Sequence, residues 1–171
     1  MKRRLRAELK QTRPFATLEE EVIVEVQRTS QAAVRWVAEA LKPSGLTLAQ
    51  FNVLRILRGA RPGALSCTEI STRMIADAPD LTRLLDRLEA GGMILKERDT
   101  SDRRAVNVRV TAAGVERVEE ASVAVRRRVQ EALRPMSERK LETLADLLEE
   151  ARGAHVEAGE PDTRTPRPQR P

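Results

Sequence analysis

Apolar residues recur every three or four positions through much of this chain, which is the spacing of one helix face. Thr17 and Glu20 have the arrangement of a capping box, and the apolar series that follows them runs over residues 22–41. The sequence Lys-Pro-Ser-Gly at residues 42–45 stops the pattern. A first long helix is therefore predicted to begin after Thr17 and to end before this stop.

Two further helices are predicted on either side of a short loop. An apolar stripe over residues 48–57 indicates the first of them, and residues 61–65 have the composition of a loop. Ser66 and Glu69 form a second capping box, which opens a helix of about ten residues over 67–76.

A leucine-rich helix is predicted next. Pro79 suits its first turn, because the amide hydrogen that proline lacks would be unpaired there, and Asp77 or Ala78 is then the cap. Gly91 and Gly92 end the helix. Its apolar face consists of Leu81, Leu84, Leu85 and Leu88.

After the two glycines the pattern changes to one typical of strands. Residues 93–98 and 105–110 are rich in β-branched and apolar residues, and Val106, Val108 and Val110 share one side of the second strand. Residues 99–103 are turn-forming, so the two strands are predicted to form one hairpin.

Two more helices complete the pattern. Thr111 caps a long helix whose apolar residues step by three and four over residues 115–132, as in a coiled coil. Arg-Pro-Met-Ser at residues 134–137 breaks it, and Ser137 caps a last helix with a leucine stripe. Residues 158–171 are rich in proline and lack large apolar side chains, which predicts a disordered tail.

This order of elements predicts a mainly α fold with a small β-hairpin, in which a winged helix-turn-helix lobe is flanked by long N- and C-terminal helices. The long helices have apolar seams wider than one lobe covers, so a second copy of the chain is the expected partner. The predicted parts are a basic arm at 1–16, a dimerisation helix at 17–44, the winged lobe at 45–111, dimerisation helices at 112–157 and the tail at 158–171.

The charge balance indicates an anionic partner. The 171 residues carry a formal net charge of +5, which favours nucleic acid or a membrane surface. Aromatic residues make up only 2% of the chain, which disfavours base stacking with single strands. No apolar run is long enough to span a bilayer, and no secretory signal follows the basic N-terminus. A single cysteine makes the reducing cytoplasm the expected compartment.

Motifs for enzymatic chemistry are missing from the sequence. His155 stands far from Cys67, so no metal-ligand spacing is present. No P-loop, dinucleotide fingerprint or Gly-x-Ser-x-Gly sequence occurs. We therefore expect neither a cofactor nor an enzymatic activity.

Three stretches, at residues 45–57, 81–94 and 102–114, resemble the MarR family of bacterial transcriptional regulators. The similarity extends from about residue 20 to residue 150. The resemblance implies a triangular homodimer with a winged-helix lobe in each subunit, and binding to pseudo-palindromic operators. Many members release DNA when a small aromatic acid or phenolic ligand binds between the lobe and the dimer helices.

The leucine-rich helix has the surface of a recognition helix. At about 100° per residue, Arg83 lies opposite the leucines with Asp86 and Arg87 beside it, while Asp80 and Thr82 flank that face near the N-terminal end. The predicted DNA contacts of this helix are Pro79, Asp80, Thr82, Arg83 and Arg87. Such an arginine is able to donate two hydrogen bonds to guanine; the threonine suits a thymine methyl or a phosphate, and the second arginine suits the DNA backbone. An ordinary solvated helix face is the alternative interpretation.

The hairpin tip is the predicted wing. Arg104 matches the family position that reaches the minor groove, where the negative potential attracts inserted arginine, and Arg103 is expected to contact phosphate. Asp102 matches the acid that steadies the tip by pairing with a strand arginine, for which Arg98 is the candidate. A solvent-exposed, salt-bridged turn is the alternative.

Further contacts with the DNA backbone are predicted at two places. Ser66 and Thr68 begin the helix before the recognition helix, and helix N-termini bind phosphate, although Ser66 also serves as a cap. The N-terminal arm either contacts the DNA backbone or is merely solvated. Its basic residues are Lys2, Arg3, Arg4, Arg6, Lys10 and Arg13.

The resemblance also implies an effector pocket near the first long helix and the helix that begins at Leu46. Arg35, Trp36 and Phe51 are the candidate residues. Core packing of the two aromatic side chains and a surface position for the arginine are the alternative.

The expected function is that of a sequence-specific regulator bound to double-stranded DNA, a repressor released by a small aromatic or phenolic ligand. A thiol-based redox sensor that acts through Cys67, at a predicted helix N-terminus, is one alternative, although a small core residue is favoured there. A winged-helix module that binds another protein is the other, and it predicts little salt dependence of binding.

Overall fold

The structure, a computed structural model, describes residues 5–76, 79–98 and 106–157, without the side chains of Arg98 and of residues 154–157. The predicted tail at 158–171 lies outside the described residues. The chain divides into two compact units, residues 1–132 and 133–171. Helices dominate and one small antiparallel sheet accompanies them, which confirms the predicted fold class.

The predicted N-terminal arm contains a short helix that is attached to the first long helix. α1 (Leu5–Glu8) precedes α2 (Leu18–Leu41). Leu5 is only 2% exposed, and the Glu8 carboxylate pairs with the Arg28 guanidinium at 3.6 Å. Residues 5–8 are therefore folded onto the chain, while Lys2, Arg3 and Arg4 lie outside the described residues.

Thr17 caps α2, as predicted. Its Oγ1 accepts a hydrogen bond from the Glu20 N–H at 3.2 Å, but the Glu20 carboxylate accepts one from the Ala16 N–H at 3.0 Å. The reciprocal half of the predicted capping box is thus displaced by one residue. A 3₁₀ turn (Lys42–Ser44) ends the helix, and Gly45 follows with a φ of 69°, a conformation that glycine adopts without strain.

The two helices that follow begin with complete capping boxes, as α3 (Leu48–Gly59) and α4 (Cys67–Arg73) both show. α4 has seven residues, so the prediction of about ten was wrong. Met74 leaves the helix with a ψ of 142° and packs against the hydrophobic core. Burial of this side chain ends the helix earlier than the polar pattern indicates.

The leucine-rich helix, α5 (Leu81–Ala90), begins later than predicted. Asp80 is its N-cap residue with φ −123° and ψ 47°, outside the helical region, so Pro79 precedes the helix instead of lying in its first turn. The Asp80 carbonyl oxygen accepts the Leu84 N–H at 3.1 Å. The end of the helix is as predicted, with Gly91 as the C-cap and Gly92 at φ 68°.

The sheet has three strands, one more than the predicted hairpin. β2 (Ile94–Arg98) pairs with β3 (Val106–Val110) in the antiparallel register that joins Lys96 to Val108. β1 (Leu65–Ser66) pairs with the other edge of β3. A two-residue strand is too short for a period-two pattern, but the backbone groups of β3 need partners on both sides where they are buried.

Thr111 connects the end of α5 with α6 (Ala112–Leu133) and is the predicted cap. Its Oγ1 accepts the Gly114 N–H at 3.0 Å and donates to the Gly92 carbonyl oxygen at 2.7 Å. α7 (Glu138–Glu157) follows in the second unit, after the break predicted at residues 134–137.

The hydrophobic core lies in the first unit, where α2, α3, α4, α5, α6 and the sheet each contribute side chains. The largest fully buried side chains are Leu41, Val53, Leu54, Leu57, Ile70, Leu85, Leu88, Ile94, Val108 and Val118. Two of the four leucines predicted on α5 are in this set, so the core fixes which face of α5 is exposed. No helix within the described residues is long and apolar enough to cross a membrane.

Candidate nucleic-acid interface

The exposed face of α5 carries the residues predicted for DNA contact. Pro79, Asp80, Thr82, Arg83 and Arg87 are all exposed, whereas Leu85 and Leu88 on the opposite face are 1% and 0% exposed. The helix is therefore held by its leucines and presents its polar side outward. This placement is what a helix needs in order to enter a major groove.

Arg83 already has one neighbour on this face. Its Nε lies 3.3 Å from the Asp80 carboxylate, and the two side chains are 77% and 56% exposed. An exposed pair of this kind holds its partners weakly, since solvent screens the attraction. The guanidinium is consequently available for a base edge, and the predicted roles of Arg83 and Asp80 remain predictions.

A lysine that the sequence reasoning missed lies beside this face. Lys96 Nζ lies 2.5 Å from the Asp86 carboxylate and 2.8 Å from the Glu89 carboxylate. The Lys96 N–H also donates to Glu89 at 3.2 Å. Hydrogen bonds, first to Asp86 and then to Glu89, raise the pKa of the Lys96 ammonium above its usual value. The sequence does hint at this pairing, because alternation along β2 places Lys96 on the same side as the buried Ile94.

A cavity of about 740 Å³ opens between α2, α3 and the segment that leads into α5. Phe51 lines it, whereas Arg35 and Trp36 do not, and the assignment of these three residues to an effector site stays a prediction. Arg35 is exposed, and the Trp36 ring lies under the guanidinium of Arg128 at 5.9 Å. The α2 residues that line the cavity are Ser30, Ala33, Val34 and Val37. Arg35 and Trp36 point away from that face of the same helix.

Two polar side chains that the sequence did not single out lie in this mostly apolar cavity. The Arg55 guanidinium lies over the Phe51 ring at 5.7 Å. Asn52 is 8% exposed and its Nδ2 donates to the Met74 sulfur at 3.5 Å. A cation beside an aromatic ring and a buried carboxamide suit a flat anion that carries a hydrogen-bonding group.

The wall of the cavity opposite α2 belongs to the helix-turn-helix itself. Met74, Ile75 and Ala76 line it together with Pro79 and Asp80. These residues connect α4 to α5. Any molecule in the cavity would therefore contact the segment that sets the start of the exposed helix.

Ser66 is committed to capping. Its Oγ accepts the Glu69 N–H at 3.2 Å and donates to the Glu69 carboxylate at 2.9 Å, and the Ser66 N–H donates to the same carboxylate at 2.8 Å. The backbone hydrogen bond first, and the hydroxyl second, hold the pKa of Glu69 below its usual value. Thr68, the second residue of α4, is exposed. Phosphate binding at Ser66 and Thr68 stays a prediction, and the Glu69 carboxylate works against it.

Comparison with known proteins identifies the family of this chain. The MarR family model matches residues 46–106, which run from just before α3 to the first residue of β3. A MarR transcription factor from Planctomyces limnophilus is 31% identical, with a TM-score of 0.62, over 80% of this chain and 98% of that one. This chain belongs to the MarR family.

Two other solved structures that resemble this chain are informative about function. Escherichia coli MarR, as a cysteine variant complexed with operator DNA, is 28% identical over 80% of this chain and 99% of that one, with a TM-score of 0.69. BpsR of Bordetella bronchiseptica, whose DNA binding is regulated by 6-hydroxynicotinic acid, is 27% identical over 77% and 98%, with a TM-score of 0.69. The chain spans about half the length of one curated relative, the Bacillus subtilis repressor MdtR, at 52% with 34% identity over 82 residues and 48% of this chain.

The wing tip of this MarR-family protein lies outside the described residues. Asp102, Arg103 and Arg104 fall there, and so does the side chain of Arg98, whose backbone pairs with Val106 at the end of β2. The minor-groove and phosphate contacts, and the pairing of Arg98 with Asp102, therefore stay predictions. The strands that lead to the tip and return from it are in place.

Cys67, the first residue of α4, is half-buried and packs against the core. This position agrees with the small core residue that was favoured for it. Among the described residues, no three His, Cys, Asp or Glu side chains lie close enough together to hold a metal ion. His155 is not among the described side chains.

Proposed function

We propose that this MarR-family protein is a homodimeric transcriptional repressor that binds a pseudo-palindromic operator through α5 and the wing. The observation that carries the proposal is the outward face of α5, with Thr82, Arg83 and Arg87 exposed above leucines fixed in the core. A related protein with the same fold and 28% identity has been solved on operator DNA. Arginine on such a face reads guanine through O6 and N7.

Dimerisation is proposed from the apolar side chains that the first unit leaves exposed. Leu18, Val22, Ile23 and Val26 in the first half of α2 are 40–57% exposed, and four such neighbours form a patch that favours association. In the second unit, Leu144 and Leu147 of α7 are exposed as well. A two-fold pair places two recognition helices about 34 Å apart, one turn of DNA. The basic arm at 1–16, the dimerisation helices at 17–44 and 112–157 and the winged lobe at 45–111 remain our division of the chain.

Operator binding is tested with a duplex that the wild-type protein selects from a random-sequence pool. We expect a preferred site with two-fold symmetry, a protein mass in solution of two chains, and an affinity that falls steeply with salt as phosphate contacts are screened. A monomeric protein, or a protein whose DNA affinity ignores sequence and salt, would refute the proposal. Retained binding to protein partners with no DNA affinity would favour the interaction-module alternative.

The cavity is proposed as the effector site, and a small aromatic acid or phenol as the class of effector. Arg55 supplies a positive charge beside Phe51, and the walls are otherwise mainly apolar. A ring fits between apolar walls, while a carboxylate or phenolate pairs with the guanidinium. In a relative of the same fold, 6-hydroxynicotinic acid regulates DNA binding.

Arg55→Ala is expected to weaken the binding of an aromatic acid such as salicylate roughly tenfold or more, because a charge-assisted hydrogen bond is lost. Isothermal titration of the dimer measures this, and a gel shift with the selected duplex shows whether release needs correspondingly more acid. Arg58→Ala is the matched control, since Arg58 lies one turn away on α3 but does not line the cavity. Equal loss in both variants, or none in Arg55→Ala, would remove Arg55 from the site.

The redox alternative has a separate test. If oxidant releases the protein from the duplex, Cys67→Ser should abolish that response, whereas release by an aromatic acid should not change. A response to acid alone supports the ligand-controlled repressor.

A further inference from the structure

Two carboxylates lie on the flank of α5 next to its DNA-facing side. Asp86 follows Arg83 by three residues, which places the two side chains about 60° apart around the helix. Glu89 is one turn further along the same flank. Their side chains are 55% and 40% exposed, so both remain in contact with solvent.

Acidic side chains at this position would disfavour the proposed binding of α5 to DNA. A DNA duplex carries about one negative charge per 1.7 Å of its axis, and a helix seated in a groove has phosphates on both sides. An unbalanced carboxylate on the flank of the helix would face that charge and weaken binding. Among the described residues, the cation paired with both acids is a single lysine, and it is not on the helix.

Lys96 comes from β2, the strand that leads into the wing. Its ammonium contacts Asp86 and Glu89 at 2.5 and 2.8 Å, and its side chain is 22% exposed. The Lys96 N–H adds a third contact, to Glu89. One residue of the hairpin thus holds two residues of the helix through three contacts, a firmer arrangement than a lone pair of exposed charges.

These contacts bear on the angle between the helix and the hairpin, on which the proposed DNA binding depends. α5 and the wing must enter neighbouring grooves of one duplex, so the angle between helix and hairpin has to match the groove spacing. Along the chain, α5 and β2 are joined by residues 91–93 only. Leu85, Leu88 and Ile94 pack in the same core, and the three contacts of Lys96 add a polar link beyond the turn.

We propose that Lys96 is a positioning residue for DNA binding, which screens Asp86 and Glu89 from the phosphates and sets the angle between the recognition helix and the wing. The inference rests on the proposed function. In this proposal the Lys96 ammonium stays paired with the two acids of the helix and does not itself contact DNA. Its effect on the affinity passes through the two acids and through the placement of the hairpin.

The test compares Lys96→Met, Lys96→Arg and the triple variant Lys96→Met/Asp86→Asn/Glu89→Gln in the full-length dimer. The affinities are measured for the selected duplex and for a scrambled duplex over a series of salt concentrations. We expect Lys96→Met to lose roughly tenfold or more on both duplexes at low salt, because two like charges then face the phosphates. Lys96→Arg should stay close to wild type, since arginine also reaches both carboxylates.

The triple variant separates screening from simple structural support. It lacks both contacts of the Lys96 ammonium but carries no uncompensated acid, so its affinity for the scrambled duplex should recover to the wild-type level or exceed it. Its preference for the selected duplex should remain reduced, because the Lys96 ammonium no longer holds the hairpin against α5. Lys42→Met, which removes an equal charge at an exposed position far from α5 in sequence, is the control.

The outcomes are distinct. Failure of the wild-type protein to bind any duplex would refute the proposed function itself. Wild-type binding with an unchanged Lys96→Met variant would refute only the role of Lys96. A triple variant that binds the scrambled duplex no better than Lys96→Met, or a loss of affinity that matches the unfolded fraction seen by circular dichroism, would also overturn it.

Discussion

Arg83→Ala is expected to weaken binding to the selected duplex by about ten- to a hundredfold, which corresponds to about 1–3 kcal/mol for the loss of a two-point contact with guanine. Arg83 is 77% exposed and its one ion pair, with Asp80, lies on the surface. The substitution should therefore leave the fold and the dimer unchanged. Fluorescence anisotropy with labelled duplex measures the affinity, and light scattering checks the mass.

The matched control for this prediction is Arg127→Ala. Arg127 is also a highly exposed helical arginine in a surface ion pair, with Glu131 at 3.0 Å, but it lies on α6. Both variants lose one positive charge, so any general effect of net charge appears equally in both. A larger loss in Arg127→Ala than in Arg83→Ala would contradict the placement of α5 in the major groove. A loss of affinity without a change in base preference would assign Arg83 to the DNA backbone instead.

Gly114→Ala is expected to have the largest effect on stability, a loss of about 3 kcal/mol, because it overpacks a site with no room to relax. A Cβ added at Gly114 would lie against the carbonyl oxygen of Met93, closer than real contacts allow, and against a methyl group of Val110. The same Met93 oxygen accepts the Thr111 N–H at 3.1 Å. The added Cβ would therefore meet a Met93 backbone oxygen that is held in place, not the end of a flexible side chain that could move aside.

Gly153→Ala provides the comparison for this substitution. Gly153 also lies within a helix, α7, but a Cβ there meets nothing within 4 Å. The same chemical change should therefore stabilise that helix by roughly 0.5–1 kcal/mol, through helix propensity. Thermal unfolding followed by circular dichroism distinguishes the two. An unchanged melting temperature in Gly114→Ala would show that α6 moves freely relative to the turn after α5.

The sequence predicted the helices well where their apolar face and their caps agreed. α3 has a strong stripe and clear ends and lies where it was expected, and α5 ends at the predicted glycines, although it begins after Pro79. The errors occurred at boundaries that tertiary packing decides. Met74 ends α4 early because it is drawn into the core, and β1 exists because β3 has a second edge to pair. Both causes are contacts with residues distant in the sequence.

The candidate site was predicted unevenly for a related reason. The exposed face of α5 follows from helical periodicity alone, and Arg83 was found in that way. Asn52 and Lys96 were missed because their contacts are with side chains distant in the sequence. Arg55 was missed because its place on the cavity wall depends on how the other elements pack around α3. The Lys96 contacts span ten residues to Asp86, and those of Asn52 span 22 residues to Met74.

The short strand β1 has a mechanical consequence. It leads directly into α4, while its pairing partner β3 is the returning half of the wing. Hydrogen bonds across this edge make the root of the hairpin and the start of α4 one stiff piece. A displacement of α4 would then be passed to the returning strand of the wing, so that in the proposed complex the wing would move with α4.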